Sequence, residues 1–207
     1  MKKIMFVIGK LSGGGAERVV TTIASSLADK GYTVTIISFC KEIEEYKYSG
    51  KIDVKYIIEK NIDEFNKLSK PTIIFKIRKI VMEEKPDEII TFLTNVSVLT
   101  YLACMFTKYK RKISFAIRSN PKMESGIYAK LHYKFAKRIK NIITQNNGQT
   151  TCYDKKLQKK IITIPNPMYE ELFEFEKTYV TNPVKIVSVG RLIEKKNFIV
   201  SIYAFEK

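Results

Sequence analysis

The first thirty residues constrain the fold more than any other part of the chain. Lys3 to Ile8 (KIMFVI) is a short apolar run that ends on Gly9, and a glycine cluster, Gly13-Gly14-Gly15, follows closely. A continuous apolar hexamer has no polar face to offer water. It therefore belongs in a sheet covered on both sides, the usual setting of parallel strands. Glu17 to Lys30 then places Val20, Ile23, Ala24 and Leu27 at helical spacing, and Gly31 stands where such a helix would stop. Strand, glycine turn and helix make the first half of a βαβ unit, which a second parallel strand completes.

The rest of the chain repeats that alternation. Thr33 to Phe39 (TVTIISF) is rich in β-branched residues and reads as a second strand, and Val54 to Ile58 as a third. Pro71 starts a helix that runs to about Glu84, with Pro86 beyond its end. Glu88 to Phe92 is a strand, Val96 to Tyr109 a helix and Ile113 to Ile117 a strand. Ile127 to Ile139 is a basic amphipathic helix, and Ile142 to Gln145 and Ile161 to Ile164 are short strands. The expected fold is α/β: a doubly wound parallel sheet of Rossmann-like type.

Pro165-Asn166-Pro167 punctuates the chain, and residues 1–167 read as one domain. Met168 to Pro183 has no strong periodicity and reads as a linker over 168–183. Lys185 to Val189 (KIVSV) starts a new strand, followed by Gly190 and Arg191, and Asn197 to Glu206 looks helical. Residues 184–207 thus read as the first strand, loop and helix of a truncated second Rossmann-like domain.

The net charge of +16 is unevenly spread. From Lys108 to Lys160 there are 15 Lys or Arg against two acids, Glu124 and Asp154, so this stretch holds +13 of the total. Such a field fits an anionic membrane surface, a nucleic acid or a phosphorylated substrate, and equally a lysine-rich solvated surface. No nucleic-acid motif accompanies the charge, and the basic residues are not interleaved with an aromatic platform. A nucleic-acid-binding module is therefore the weaker alternative, and no nucleic-acid partner is expected. Ile127, Leu131 and Phe135 form one stripe of the basic helix, with Lys130, Lys134, Lys137 and Arg138 around it. A helix of this kind lies at an anionic interface or turns its stripe into the core.

Three cysteines, Cys40, Cys104 and Cys152, stand far apart without a CxxC pair, and His132 is the only histidine. A disulfide framework and a metal site are not expected, and a reducing cytoplasm is the default. Met1 to Lys3 is basic, but the apolar run Ile4 to Ile8 that follows is too short for a signal peptide and ends at Gly9 and Lys10. The uncharged stretch from Ile89 to Thr107 contains Thr91, Thr94, Asn95, Ser97 and Thr100, and reads as a buried strand and helix rather than a membrane span. His132 reads as a surface or interface histidine, and Asn95 as an N-cap.

The chemistry-bearing candidates lie at strand ends. In Gly9-Lys10-Leu11-Ser12-Gly13-Gly14-Gly15 the glycines would let backbone N–H groups approach a phosphate at a helix N-terminus, or would serve only as a turn. The loop is neither the dinucleotide fingerprint, since Ala16-Glu17-Arg18 follows Gly15, nor a P-loop. Arg118 and Asn120 follow a predicted strand end, which favours a cleft position, although Pro121 makes a structural turn an equal reading.

Four segments together resemble a known family. GGGAERVV (Gly13 to Val20), RSNP (Arg118 to Pro121), IPNP (Ile164 to Pro167) and VGRLIEKKNF (Val189 to Phe198) are similar, in order and spacing, to motifs of the retaining, nucleotide-sugar-dependent glycosyltransferases of GT-B fold, the group 1 or family 4 type. The resemblance implies a transferase, hexosyltransferase in type, that moves a sugar with retention from a nucleoside diphosphate sugar to a polysaccharide or lipid-linked oligosaccharide acceptor. It implies no metal and no other cofactor. Gly14 and Gly15 would lie beside the donor diphosphate. Arg191 and Lys196 would be the catalytic basic pair that neutralises the leaving nucleoside diphosphate. Glu17, Arg18, Arg118 and Asn120 would contact substrate. The expected location is cytoplasmic, peripheral on the inner face of the membrane, in cell-envelope polysaccharide synthesis. A nucleotide-sugar epimerase of similar architecture is the other enzyme alternative, and GGGAER with VGRL…KN favours the transferase. The family's Glu-x7-Glu donor motif would fall beyond Lys207, so sugar transfer by this chain alone is not expected.

Overall fold

The computed structural model describes residues 1–167, 187–190, 192 and 196–205. The chain divides into two compact units, Met1–Pro167 and Met168–Lys207.

In the first unit seven strands pair in parallel in the order β3-β2-β1-β4-β5-β6-β7. They are β1 (Lys3–Ile8), β2 (Thr33–Cys40), β3 (Asp53–Ile58), β4 (Glu88–Phe92), β5 (Ile113–Ala116), β6 (Asn141–Thr144) and β7 (Ile161–Thr163). The doubly wound expectation is met. The chain first winds outward from β1 to β3, then returns to pair β4 on the other side of β1. The strand order therefore reverses between β1 and β4, and the carboxyl ends of that pair open the crevice in which such sheets bind ligands.

Alternation along β1 distributes the core. Met5 and Val7 join the larger apolar cluster with Ile37, Ile73, Ile77, Leu99 and Phe115. Phe6 and Ile8 join the smaller one with Val20, Ala24, Val34 and Phe92. Helix α1 (Gly15–Asp29) covers the second face with Val19, Val20 and Ala24. Helices α3 (Lys70–Glu84), α4 (Thr94–Cys104) and α5 (Gly126–Ala136) cover the first. At its end α1 turns on Gly31 at φ +89°, where the Tyr32 amide donates to the Leu27 carbonyl at 3.1 Å, the bonding of a Schellman turn. Only glycine enters that left-handed region without strain.

Several boundaries differ from the sequence reading. Helix α3 is capped by Ser69, whose hydroxyl accepts from the Thr72 amide at 3.3 Å, so the helix begins at Lys70 and Pro71 is its second residue rather than its first. Helix α4 stops at Cys104, and Lys108–Lys112 forms a separate 3-10 turn instead of a continuation to Tyr109. Three short helices had no periodicity to announce them: α2 (Ile62–Asn66), α6 (Asn147–Thr150) and α7 (Lys155–Gln158). Each is started by a side chain that accepts from the first turn, Asn61, Asn146 and Asp154 respectively.

The stretch expected to be a buried strand and helix holds most of β4 and all of α4, both largely buried. No helix among the described residues is long and apolar enough to cross a membrane.

In the second unit α8 (Phe198–Phe205) is the described helix, and its apolar residues Ile199, Val200, Ile202, Tyr203 and Phe205 are all exposed within that unit. Of the strand expected over Lys185–Val189, Lys185 and Ile186 lie outside the described residues, and Val187–Val189 take no strand form.

Candidate active site at the carboxyl edge of the sheet

The glycine loop leads from β1 into α1. Gly13 adopts φ +74°, a conformation natural to glycine, and Gly14 is the N-cap of α1 in extended backbone. No side chain caps this helix. Instead the Glu17 side chain folds back over Gly14, so closely that a Cβ there would collide with the carboxylate. Glu17 is buried, and its charge sits where the helix dipole favours a negative group. A Cβ on Gly15 would meet nothing within 4 Å, which leaves that backbone bare. Arg18 is exposed and places its guanidinium 5.7 Å from the centre of the Tyr46 ring.

A cleft of about 420 Å³ opens beside this loop, at the ends of β4 and β5. Leu93, the residue after β4, enters it in a strained conformation, φ +74° and ψ +143°. A leucine there costs roughly 1–3 kcal/mol and persists only because its surroundings fix it. Leu93 packs beside Gly9, where a Cβ would stand 3.7 Å from Leu93 Cδ1, at ordinary contact distance. The strain turns Thr94 and Asn95 into the cleft. Asn95 is therefore not the N-cap of α4, as the sequence suggested. Leu93 holds that position, and Asn95 is the second helical residue.

Glu124 gathers the opposite wall. Its carboxylate accepts from the Thr94 hydroxyl and from the Ser119 hydroxyl, which ties the segment after β4 to the segment after β5. The tie continues through amides. Gln149 Nε2 donates to the Ser119 carbonyl at 3.1 Å, and Gln149 Oε1 accepts from the Gln145 amide at 2.7 Å. Gln145 Oε1 accepts from Asn166 Nδ2 at 3.2 Å, and Asn166 Oδ1 accepts from Arg118 Nη1. RSNP and IPNP, some 48 positions apart, meet through that last bond.

Arg118 packs its guanidinium 4.7 Å from the centre of the Phe92 ring. Burial lowers its pKa to about 10, which leaves it charged at neutral pH. Its Nε has no partner among the described residues. His132 is not the surface residue the basic helix implied. It is 7% exposed, stacked on Phe115 at 4.5 Å between ring centroids, and lines the cleft. Burial pushes its pKa down to about 4, against a smaller upward pull from Glu124, so the imidazole is neutral at pH 7. Tyr153 also lines the cleft, 5% exposed, and its hydroxyl has no partner among the described residues. Burial, and then the charge of Glu124, raise its pKa.

The anticipated residues thus fall into two groups at one sheet edge. Gly14, Gly15, Glu17 and Arg18 surround the start of α1, and Arg118 stands in the cleft. Asn120 is exposed and caps the turn Pro121–Met123, its Oδ1 accepting from the Lys122 amide at 3.0 Å. Lys196 is exposed in the second unit, and Arg191 lies outside the described residues. Sequence reasoning passed over Thr94, Ser119, Glu124 and Tyr153. For Thr94 and Ser119 the signal was a polar residue just past a strand end, and Glu124 was marked as one of only two acids in a basic stretch; Tyr153 carried none. The stripe of α5 turns largely inward: Phe135 is buried, Leu131 half-buried and Ile127 exposed.

A fully parallel, doubly wound sheet with a glycine loop and a cleft at its carboxyl edge is Rossmann-like, the form that each half of a GT-B protein takes. The chain belongs to glycosyltransferase family 4, whose sequence profile it matches over residues 13–171. It is 27% identical over 204 residues to the GalNAc-alpha-(1->4)-GalNAc-alpha-(1->3)-diNAcBac-PP-undecaprenol alpha-1,4-N-acetyl-D-galactosaminyltransferase of Campylobacter jejuni, covering 95% of this chain and 55% of that one. The chain spans about half the length of the curated relatives it matches. Among solved structures, the HepE protein of Anabaena in complex with UDP superposes with a TM-score of 0.56 at 16% identity, over 88% of this chain and 47% of that one. The UDP-GlcNAc 2-epimerase of Methanocaldococcus jannaschii does so with 0.51 at 16%, over 80% and 46%. At such identities the likeness shows the fold alone.

Proposed function

We propose that this chain is the acceptor-binding half of a transferase that moves a sugar, with retention of configuration, from a nucleoside diphosphate sugar to a lipid-linked or polysaccharide acceptor. The observation that carries the reading is the pairing of two features at one sheet edge: the uncovered backbone of Gly15 at a helix N-terminus, suited to a diphosphate, and the cleft from Thr94 to Tyr153, whose apolar wall and few polar groups suit a saccharide. The Campylobacter relative, whose name gives an undecaprenol-linked acceptor, supports the lipid-linked class. Arg191 and Lys196, from a second Rossmann-like domain that begins near residue 184, would neutralise the charge that grows on the diphosphate as the sugar leaves. The exposed lysines along α5 and α7 would hold the protein at an anionic membrane, where such acceptors reside.

The fold is shared with epimerases, but the sequence relatives are transferases. The test is transfer of labelled sugar from a panel of nucleoside diphosphate sugars to undecaprenyl-diphosphate-linked saccharides. It is run on this chain alone and on residues 1–167 fused to the second half of the Campylobacter relative. Transfer by the fusion alone, with an axial product linkage from an axial donor, is expected. A fusion that binds nucleoside diphosphate yet transfers nothing would refute the reading, and so would turnover by residues 1–207 alone.

A further inference from the structure

We infer that the cleft between the ends of β4 and β5 takes one uncharged sugar ring, the terminal residue of the acceptor, and that Glu124 is the residue that reads its hydroxyl pattern. This rests on the transferase reading for the word acceptor, but the claim that the cleft binds a sugar stands on the cleft itself.

The hydrogen-bonding capacity points to a polyol. An ionised carboxylate offers about four acceptor sites, and the Thr94 and Ser119 hydroxyls occupy one on each oxygen of Glu124. The rest remain for donors in the cleft, and adjacent sugar hydroxyls are spaced to engage both oxygens. Those two protein hydroxyls also fix the carboxylate in one orientation, so the ligand does not have to order it. Tyr153 contributes a buried hydroxyl and Arg118 a buried Nε–H, neither with a partner among the described residues. Buried polar groups are nearly always hydrogen-bonded, and leaving one unpaired costs on the order of 1–3 kcal/mol. Both belong to side chains that line the cleft, and a ligand that shifts this wall enough to reach them would supply their partners. His132, neutral and stacked on Phe115, adds a ring with one donor and one acceptor. The same wall carries Leu93, Ile117, Pro121 and Tyr128, an apolar surface for the C–H face of a pyranose.

The charges argue against other occupants. With one carboxylate, Glu124, and one guanidinium, Arg118, on its wall, the cleft selects neither an anion nor a cation by net charge, which suits an uncharged ligand. A group whose hydroxyls both donate and accept satisfies Glu124, Tyr153, Arg118 and His132 together. The volume, about 420 Å³, falls in the range of small-ligand sites and is ample for one sugar ring.

The experiment uses residues 1–207 and the imidazole proton signals of His132, the chain's only histidine, as an in-cleft reporter. The probes are methyl N-acetyl-α-galactosaminide, methyl α-glucoside, monodeoxy versions of whichever glycoside shifts the signal, and inorganic phosphate. A saturable shift with a glycoside and none with phosphate is expected. Glu124→Gln should weaken the glycoside about tenfold or more and erase discrimination against the deoxy sugar that lacks the hydroxyl it reads. Tyr153→Phe removes a hydroxyl that has no protein partner, so the melting temperature should hold or rise while glycoside affinity falls several-fold. Unchanged affinity in a folded Tyr153→Phe protein, no shift with any glycoside, or a shift with phosphate alone would each overturn the inference. In the fusion, loss of sugar binding without loss of transfer would sink this inference and spare the transferase reading. Intact sugar binding in a fusion that transfers nothing would do the reverse.

Discussion

Lowering the pH from 7 to 5 is expected to destabilise the fold by about 2 kcal/mol through the His132 side chain alone. The imidazole is buried between Phe115 and the cleft, where its charged form is poorly solvated, and its pKa falls to about 4 from the ordinary 6.5. Glu124 pulls the other way, too weakly to restore it, and Arg118 on the same cleft adds no help to a cation. The folded state thus takes up this proton less readily than the unfolded chain. Above pH 6.5 both states are neutral and the residue has no effect on the pH dependence. Between 6.5 and 4 the unfolded chain holds more protons, so stability falls as the pH falls, by at most about 1.4 kcal/mol per unit. Below about 4 the loss is complete, at about 3 kcal/mol. Urea titrations of the wild type and of His132→Gln at the two pH values isolate the term, because other groups contribute equally to both proteins. The wild type should lose about 2 kcal/mol more than the variant between pH 7 and pH 5. Proton NMR of the single histidine should show a midpoint near 4. A midpoint near 6.5, or an equal pH dependence in the variant, would refute the argument that burial governs this site.

Two further outcomes follow from the sheet edge and the surface. Leu93→Gly should change stability by no more than about 1 kcal/mol, because relief of the strain at φ +74° offsets the lost packing and the added chain flexibility. Leu99→Ala, at a position 3% exposed, should cost about 2–5 kcal/mol, and a comparable loss in Leu93→Gly by urea titration would show that the backbone there is unstrained. Sedimentation with vesicles should find the chain bound to anionic lipid at low salt and released at high salt, since exposed charges are screened within about 10 Å at 0.1 M. Equal binding to neutral vesicles would remove the basic stretch from the argument.

The alternation of strands and helices was legible because each core strand is a continuous apolar run and each covering helix keeps a 3.6-residue period, as β1 and α1 do. Helices α2, α6 and α7 were not, since four or five residues complete little more than one turn and are held by a single capping side chain. The Leu93 conformation was invisible for another reason. Leucine has no propensity for that region, and only the packing around it makes the backbone turn there.

The cleft was harder to read than the glycine loop because its members are scattered. Thr94, Glu124, His132 and Tyr153 belong to different segments, and each has an ordinary explanation when taken alone: a cap, a solvated acid, a surface ring, a core aromatic. What joins them is the order of the strands, which sets the ends of β4 and β5 side by side. One signal was nevertheless present. A stretch with 15 basic residues holds only Glu124 and Asp154 as acids, and solvation gives neither a reason to be there. Asp154 starts α7, its Oδ1 accepting from the Leu157 amide at 2.8 Å, and is thereby accounted for. Glu124 closes the turn Pro121–Met123 through its backbone amide, but its side chain caps no helix among the described residues. It faces the cleft at half burial, held by two hydroxyls from two different strand ends. In a segment whose charge is otherwise of one sign, an acid that no cap explains is the residue most in need of a ligand.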